Sequence, residues 1–430
     1  MNTPTNNLES CSMRIDRILD TIGERDDVIR AYCEVLADHA RKDAARMDLV
    51  PPDQRGPLCG VGVGIKEVFD VAGGLCGWGS VIHAERRPKQ DAVIVSALRD
   101  AGCIILGTTT STEYAMARIA PTTNPCDPDR TPGASSSGSA AAVAAGMADI
   151  AIGSQTIGSG IRPAAYCGVF AYKPTQGEFS LSGAMPLAEI LDHPVIFANE
   201  LALVEKTYAA LRDSNAALSA GQFSKGYTRP AGILAKVALV APWFKDAFDA
   251  EVWEMVSSVA RQIPAIDCTL LSLPDDIGAR EEGCLTTILS ADMWRHHGAD
   301  YRRHSDKMSS GLRTWLERGR EITAEDYRAA LDLRAQIGAD VWDALRDYDF
   351  VVTMATTDTA PLRSKGTGSR APQRLWNLIG CPAVSGPIGK IGGLPVGLQI
   401  VGRPGSDSAM LDFAGHVFSG TAGASPTVNG

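Results

Sequence analysis

Two glycine- and serine-rich segments constrain the fold of this chain most strongly. They read TPGASSSGSAAAVAAG at residues 131–146 and GSQTIGSGIRPAAYCG at residues 153–168. A flexible linker would not carry the AAAVAAG run, which favours a helix, or the IAIG run where the second segment begins, which is typical of a buried strand end. The sequence therefore predicts a folded loop system with several serines at its turns.

The bulk composition allows a large core and excludes several classes of function. Of the 430 residues, 45% are hydrophobic and 21% are charged, and the net charge is −9. A chain with net negative charge is not expected to bind nucleic acid or an anionic membrane. No run of about 18 apolar residues occurs, so we predict no membrane span. The opening MNTPTNNLES lacks the basic and apolar regions of an export signal, and we expect a cytoplasmic protein.

The cysteines and histidines do not form a metal-binding pattern. Ten cysteines are scattered along the chain without a C-x-x-C pair, which is typical of reduced and mostly buried thiols. His296 and His297 are adjacent, and neighbours on a helix point apart. We therefore predict neither a metal site nor a cofactor.

Helix and strand patterns alternate along most of the chain. Residues 59–73 read as a strand and a turn, residues 91–110 as a helix and then a strand, and residues 350–356 and 394–402 as strands. Such alternation predicts an α/β protein with a single large mixed β-sheet core flanked by helices.

Two regions are predicted to be mainly helical. Apolar residues recur at helical spacing between residues 8 and 47, so residues 1–50 are expected to form an N-terminal helical segment. Residues 180–345 carry fewer glycines and are expected to form a variable helical region. Within it, Thr323 is a predicted N-cap because Asp326 follows at the position that completes such a cap.

The segment GVGVGIK, residues 60–66, places a lysine at a strand end. Strand alternation puts the valines and Ile65 on one face, and the glycines and Lys66 on the other, where backbone can approach closely. A phosphate-binding P-loop is excluded because Ile65 and Glu67 flank the lysine, where that motif needs glycine and then serine or threonine. A solvated lysine at a strand end is the simpler alternative for this segment alone.

A serine nucleophile needs a base within hydrogen-bond reach, and the usual histidine is scarce here. Only His193 lies near the serine-rich region in sequence. The G-x-S-x-G elbow is missing because glycines flank Ser159 directly, and no Ser-x-x-Lys motif occurs. A lysine base that works through an intermediate hydroxyl remains, and Lys66, Ser135 and Ser159 fit that scheme.

Three separated blocks resemble the amidase signature family of Ser–Ser–Lys hydrolases. They are GVGVGIKEVFDVAG, the two glycine- and serine-rich segments continued by VFAYKPT, and GGLPVGLQIVGRPG. The resemblance covers core blocks at residues 56–178 and 345–405 and is closest to short, malonamidase-like members. It implies one amidase signature domain over residues 56–430.

The resemblance implies a role for each of three side chains. Ser159 would be the nucleophile, Ser135 the bridging serine after a cis peptide bond, and Lys66 the general base. Burial without a carboxylate partner would favour the neutral lysine that a base requires. The backbone N–H groups implied for the oxyanion hole are those of Thr156, Ile157, Gly158 and Ser159.

The chain departs from the family pattern in two places near these residues. Ala134 and Ile157 stand where family members commonly have glycine, and a β-branched residue restricts the oxyanion turn. EILDHPVIFAN at residues 189–199 differs from the family's Ser-Leu-Asp-x-x-Gly run. These departures leave open a catalytically weakened homologue that only binds ligands.

Four further residues are assigned to substrate binding. Arg162 fits either a substrate carboxylate or an internal ion pair. Glu113 and Tyr114 follow a threonine-rich loop and are assigned to the pocket. Trp376 either lines the pocket or packs in the core.

The combined prediction is a cytoplasmic amidase that cleaves the C–N bond of a small carboxamide through an acyl-Ser159 intermediate. Its partner is a small-molecule amide, with a homodimer left open and no nucleic acid or membrane expected. The alternatives are a partner-dependent amidotransferase, a biosynthetic acyltransferase of the same fold and the weakened binding homologue.

Overall fold

The computed structural model describes residues 9–214, 216, 235–263 and 266–419. The strands are β1 (Tyr32–Val35), β2 (Gly62–Lys66), β3 (Ile104–Thr109), β4 (Ile150–Gln155), β5 (Phe170–Lys173), β6 (His193–Ala198), β7 (Ala235–Val240), β8 (Ile266–Leu271), β9 (Phe350–Met354), β10 (Ala383–Ile391) and β11 (Leu394–Val401).

The described helices lie before, between and after these strands. They are α1 (Cys11–Ile29), α2 (Ala37–Asp48), α3 (Val93–Asp100), α4 (Ser137–Ala144), α5 (Ile161–Cys167), α6 (Leu201–Arg212), α7 (Ala250–Gln262), α8 (Ile277–His304), α9 (Ser310–Glu321), α10 (Ala324–Ala344), α11 (Ala371–Leu378) and α12 (Asp407–Ser419). None of the described helices combines the length and the apolar character needed to cross a membrane.

The described strands form a single mixed sheet of eleven strands. Their order across the sheet is β1-β3-β2-β4-β6-β5-β10-β11-β9-β7-β8. The parallel pairs are β2 with β3 and β4, and β7 with β8 and β9, whereas the remaining pairs are antiparallel. This architecture confirms the predicted α/β fold with one large mixed sheet and flanking helices.

The ends of β2 and β4 lie side by side, and this arrangement positions the site. The two strands pair in parallel, with Ile65 opposite Ile152. Both are almost entirely buried and consist mainly of apolar or small residues, as is typical of parallel strands covered on both faces. The polar residues at their carboxyl ends, Lys66 on β2 and Ser154 on β4, therefore lie next to each other where these two strands end.

Several elements lie where the sequence predicts them. The helix-then-strand pattern of residues 91–110 is α3 followed by β3, and the two later strand patterns contain β9 and β11. The predicted cap of α10 forms in both directions. Thr323 Oγ1 accepts from the Asp326 N–H at 3.1 Å, and the Asp326 carboxylate accepts from the Thr323 N–H at 3.0 Å.

The two regions predicted to be helical also contribute strands. β1 lies within residues 1–50 and pairs antiparallel with β3 at the edge of the sheet. β6, β7 and β8 lie within residues 180–345. A four-residue strand such as YCEV is too short to show a strand period between two helices, so periodicity alone misses it.

The helical region is packed most closely where α9 meets α8. A Cβ added to Gly319 on α9 would lie 1.9 Å from the carbonyl oxygen of Ser290 on α8. Gly283, also on α8, faces open space, with no atom within 4 Å of an added Cβ. The first glycine is therefore required by the packing, and the second is not.

We expect Gly319→Ala to lower the free energy of unfolding by about 3 kcal/mol, because the α8 backbone would have to move away. Gly283→Ala is the matched control and should raise that free energy by about 0.5–1 kcal/mol, since alanine favours a helix over glycine. Urea midpoints followed by circular dichroism measure both changes. Equal midpoints for the two variants would contradict the close contact between α8 and α9.

Candidate active site

Lys66 lies fully buried at the end of β2 and is surrounded by hydroxyl groups. Its Nζ is 2.7 Å from Ser135 Oγ, 2.8 Å from Ser154 Oγ and 3.1 Å from Ser136 Oγ. The structure thus brings together Lys66 and Ser135, two of the three predicted catalytic side chains. It adds Ser136 and Ser154, which the sequence analysis did not place at the site.

Close packing between the α4 loop and β4 carries these serines to the lysine. Ser135 and Ser136 directly precede α4. A Cβ added to Gly153 on β4 would lie 2.7 Å from Ser136 Oγ, so only glycine allows this approach. Ser136 Oγ donates to the Ser154 carbonyl at 2.9 Å and accepts from the Ser154 N–H at 3.1 Å, which fixes the loop against the strand.

Burial sets the protonation of Lys66. Loss of hydration lowers the pKa of Lys66 from its ordinary 10.5 to about 7, because the ammonium ion loses more solvation than the neutral amine. The negative charges of Glu67 and Asp192 oppose this shift in the pKa of Lys66 without reversing it. The site therefore holds an amine that is largely neutral above pH 7.

Hydrogen-bond directions show which hydroxyls can donate to this amine. A serine has one hydroxyl proton, and Ser136 gives its own to the Ser154 carbonyl. Ser136 can therefore only accept from Lys66. The hydroxyl protons of Ser135 and Ser154 have no other acceptor among the described residues, and a neutral Lys66 has one lone pair, so it can accept from one of these two serines at a time.

Three side chains hold the turn between β4 and α5, which contains the predicted oxyanion donors. Gln155 Oε1 accepts from the Gly160 N–H at 2.9 Å. Asn377 Nδ2 donates to the Thr156 carbonyl at 2.6 Å, and Thr156 Oγ1 donates to the Asp192 carboxylate at 2.6 Å. These bonds fix the backbone on both sides of residues 157–159.

The N–H groups of Ile157, Gly158 and Ser159 donate no hydrogen bond to any described residue. Unpaired N–H groups in a tight turn are suited to binding an oxyanion. A Cβ added to Gly158 would lie 2.7 Å from Gln373 Oε1, so a side chain there would require Gln373 to move. Ile157 packs into the core and has no positive φ, so the isoleucine fits the turn without backbone strain.

Ser159 lies half-buried in the same turn. Within the described residues, no hydrogen bond joins its Oγ to Ser135, whose Oγ contacts Lys66 instead. Every described peptide bond is trans, so the prediction of a cis peptide bond before Ser135 is wrong for this structure. The trans form is the one favoured by about 2.5–4 kcal/mol for residues other than proline.

A cavity of 380 Å³ lies beside the turn and the lysine cluster. It reaches Ser154 and Thr156, and most of its remaining wall comes from residues 181–189. The apolar side chains that line it include Val68, Phe69, Leu181, Met185, Pro186 and Leu187. The lining is therefore mainly apolar and reaches the candidate site at Ser154 and Thr156, while Lys66, Ser135 and Ser159 are not part of it.

Helix α8 supports this cavity from outside. His297 Nε2 lies 2.7 Å from the Pro186 carbonyl and therefore carries the donated proton. Burial lowers the pKa of His297 to about 4, so the ring is neutral at ordinary pH. The same ring packs edge-on against Tyr114, with centroids 4.9 Å apart, and Tyr114 precedes Ala115, which also lines the cavity.

Two of the residues assigned to substrate binding have structural contacts elsewhere. The Glu113 carboxylate accepts from the Ser309 N–H at 3.2 Å, just before α9. Trp376 packs edge-on against Trp243, with centroids 5.3 Å apart. Neither side chain lines the described cavity.

The other two assigned residues are also buried away from the cavity lining. Tyr114 Oη donates to the Asp300 carboxylate at 2.9 Å. Arg162 Nη1 donates to the Gly368 carbonyl at 2.7 Å, and burial lowers the pKa of Arg162 to about 10. No described carboxylate forms the internal ion pair that the sequence offered for Arg162.

The described residues contain no group of three or more histidine, cysteine, aspartate or glutamate side chains that could hold a metal ion. The side chains of His296 and His297 contact different residues. His297 bonds to the Pro186 carbonyl, whereas His296 Nε2 lies 3.7 Å from the Glu189 carboxylate.

Ser136, Ser154 and Gln155 belong to the candidate site but were not assigned to it from the sequence. A signal for Ser154 and Gln155 exists, because the polar run Ser154-Gln155-Thr156 follows the apolar strand IAIG directly. Polar side chains at the carboxyl end of a parallel strand commonly face a binding site. The pairing of β2 with β4 was needed to show that Ser154 reaches Lys66.

Comparison with known proteins identifies relatives along almost the whole chain. The model of the Amidase family matches residues 14–411. A glutamyl-tRNA(Gln) amidotransferase subunit of Synechococcus sp. (strain WH7803) is 32% identical, covering 92% of this chain and 90% of its own length. The corresponding protein of Heliobacterium modesticaldum is 30% identical, covering 90% and 88%.

Solved structures share the fold to the same extent. The native peptide amidase of Stenotrophomonas maltophilia matches with a TM-score of 0.81 and 26% identity, covering 96% of this chain and 94% of its own. A chain of a vestigial protein complex that reveals the evolutionary origins of an s-triazine catabolic enzyme matches with a TM-score of 0.84 and 26% identity, covering 96% and 95%. Sequence blocks, sheet and family match agree, and this chain belongs to the Amidase family.

Proposed function

We propose that this chain is an amidohydrolase that cleaves a small carboxamide through an acyl intermediate on Ser159. The observation that carries the proposal is the amine of Lys66, which is buried and bonded to Ser135 at 2.7 Å. A general base works best when its pKa lies near the working pH, and a Lys66 pKa of about 7 meets that requirement. Membership of the Amidase family and the likeness to a peptide amidase support an amide substrate.

In the proposed mechanism the proton moves through two serines. Ser135 gives its proton to Lys66 Nζ and takes the proton of Ser159, whose Oγ attacks the amide carbonyl carbon. The C–N bond then breaks, and the leaving ammonia or amine takes the proton back from Lys66 through Ser135. Water attacks the acyl ester along the same path, which releases the carboxylic acid and restores Ser159.

The Ser135–Ser159 hydrogen bond belongs to the substrate-bound state in this proposal. Catalytic hydrogen bonds are often long or missing before substrate binds and tighten only in the complex. The negative oxygen that develops would meet the backbone N–H groups of Thr156, Ile157, Gly158 and Ser159. One such donor is typically worth about 2.7–4 kcal/mol of transition-state stabilisation.

A partner-dependent amidotransferase is the second candidate, and the curated relatives favour it. Those cited above are 30% and 32% identical, and both are named as parts of an amidotransferase. A protein of that kind would need its partners for turnover, whereas a hydrolase releases ammonia by itself. Ammonia release from the isolated chain therefore separates the two, and the mass of the product would reveal a biosynthetic acyltransferase.

We also propose a cytoplasmic location for the enzyme. All ten cysteines are free thiols, and most of them are buried. Unpaired cysteines in this number are typical of proteins kept in a reducing compartment.

A small fluorophosphonate tests the nucleophile without knowledge of the substrate. We expect intact-mass spectrometry to show a single adduct on the wild type and on the control Ser139→Ala, whose hydroxyl bonds to Thr109 instead of Lys66. Ser159→Ala should show no adduct. Lys66→Ala should be labelled at least about 100-fold more slowly than the wild type, since general-base catalysis contributes that much or more. An adduct retained by Ser159→Ala would refute the proposed nucleophile.

The pKa of Lys66 predicts the pH dependence of this labelling. Lys66 loses its proton as the pH rises through about 7, and only the neutral amine acts as base. The labelling rate should therefore rise between pH 5 and 8, with a midpoint near the Lys66 pKa, and stay level above it. Rates that keep rising up to pH 10 would show an ordinary, hydrated lysine.

Ser154 should tune that midpoint. In the proposed relay Ser135 donates to the single lone pair of neutral Lys66, so Ser154 Oγ accepts from Nζ at 2.8 Å and bonds more strongly to the charged form. Ser154→Ala should lower the pKa of Lys66 and shift the labelling midpoint downwards by about one pH unit. Ser139→Ala should leave the midpoint unchanged. A midpoint that moves upwards, or not at all, in Ser154→Ala would contradict the described contact.

A further inference from the structure

The wall of the cavity carries negative charge and no cation. Glu189 and Asp192 line it, and no lysine or arginine does so within the described residues. At the rim, Arg295 Nη2 lies 3.4 Å from the Glu189 carboxylate and 3.2 Å from the Asp292 carboxylate. One positive charge is thus shared between two negative ones, and the rim keeps an excess of negative charge.

The two titratable groups deeper in the wall do not reverse this balance. Burial raises the pKa of Asp192 to about 6, so its carboxyl group is largely ionised at pH 7.5 and above. His193 Nδ1 lies 2.7 Å from the Leu191 carbonyl, and burial lowers the pKa of His193 well below its usual value. His193 therefore stays neutral, and the wall has no positive charge with which to receive a carboxylate.

The apolar part of the lining adds a second barrier to charged ligands. Phe69, Leu181, Met185 and Leu187 line the same cavity as Glu189 and Ser154. An ionised group placed among such side chains loses hydration and gains no partner. An apolar chain loses nothing there and gains from leaving water.

We propose that this cavity receives the uncharged, apolar acyl chain of the amide substrate and rejects acyl chains that end in a carboxylate. The inference rests on the proposed function in taking the cavity as the acyl site. It differs from the sequence-based prediction that Arg162 binds a substrate carboxylate, because Arg162 does not line the cavity.

Three amides of equal length test this preference for uncharged acyl chains by binding alone. Hexanamide ends in a methyl group, 5-aminopentanamide in an ammonium group and glutaramate in a carboxylate. Ligand-observed NMR titration of Ser159→Ala, which holds amides without turnover, should give hexanamide the lowest Kd. Glutaramate should bind at least about tenfold more weakly than hexanamide. It should also bind more weakly than 5-aminopentanamide, because the carboxylates of the wall repel a negative charge and not a positive one.

A charge reversal at the rim shows whether the carboxylates cause the preference. Glu189→Lys in the Ser159→Ala background should lower the ratio of the glutaramate Kd to the hexanamide Kd by about fivefold or more. Glu321→Lys is the matched control, since both glutamates are exposed, at 65% and 71%, and both pair with an arginine. The control should leave the ratio unchanged.

Two results would overturn the inference. One is glutaramate binding as tightly as hexanamide or more tightly than 5-aminopentanamide, and the other is no binding of hexanamide at all. Ammonia release by the wild type is measured separately. If the order of binding holds but no ammonia forms, the proposed hydrolysis fails and the charge rule stands.

Discussion

The amine of Lys66 must be kept out of water for the rest of the site to act. An ammonium ion in a closed space without a carboxylate partner is far less stable than the neutral amine, so burial alone shifts the proton equilibrium. β2 and β4 provide that burial because they are parallel strands covered on both faces. The surrounding hydroxyls hold the nitrogen in place but do not restore its charge.

Much of this arrangement could be predicted because its signals are local. The glycine alternation before Lys66, the serines before a small-residue helix and the glycines around Ser159 each lie within one short segment. Such segments constrain strand, turn and helix starts directly. The sheet class follows from them, whereas the contact between Lys66 and Ser135, 69 residues apart in the chain, is what the resemblance to the amidase signature family implies.

The features that the sequence did not predict depend on contacts between distant segments. Ser154 reaches Lys66 only because β4 pairs with β2, and no local pattern encodes that pairing. Glu113 and Trp376 look like pocket residues from their neighbours in sequence, yet packing turns one towards Ser309 and the other towards Trp243. These contacts depend on packing between distant segments, which a local pattern does not show.

The hydrogen bond from His297 to Pro186 joins positions 111 residues apart. The reactive groups lie on β2, in the loop before α4 and in the turn between β4 and α5, whereas most of the cavity wall is formed by residues 181–189, which α8 contacts through this bond. Selectivity and reactivity are thus encoded in separate stretches of the chain. A lineage with this layout can change which amides it accepts by altering residues 181–189, while its means of breaking them is inherited intact.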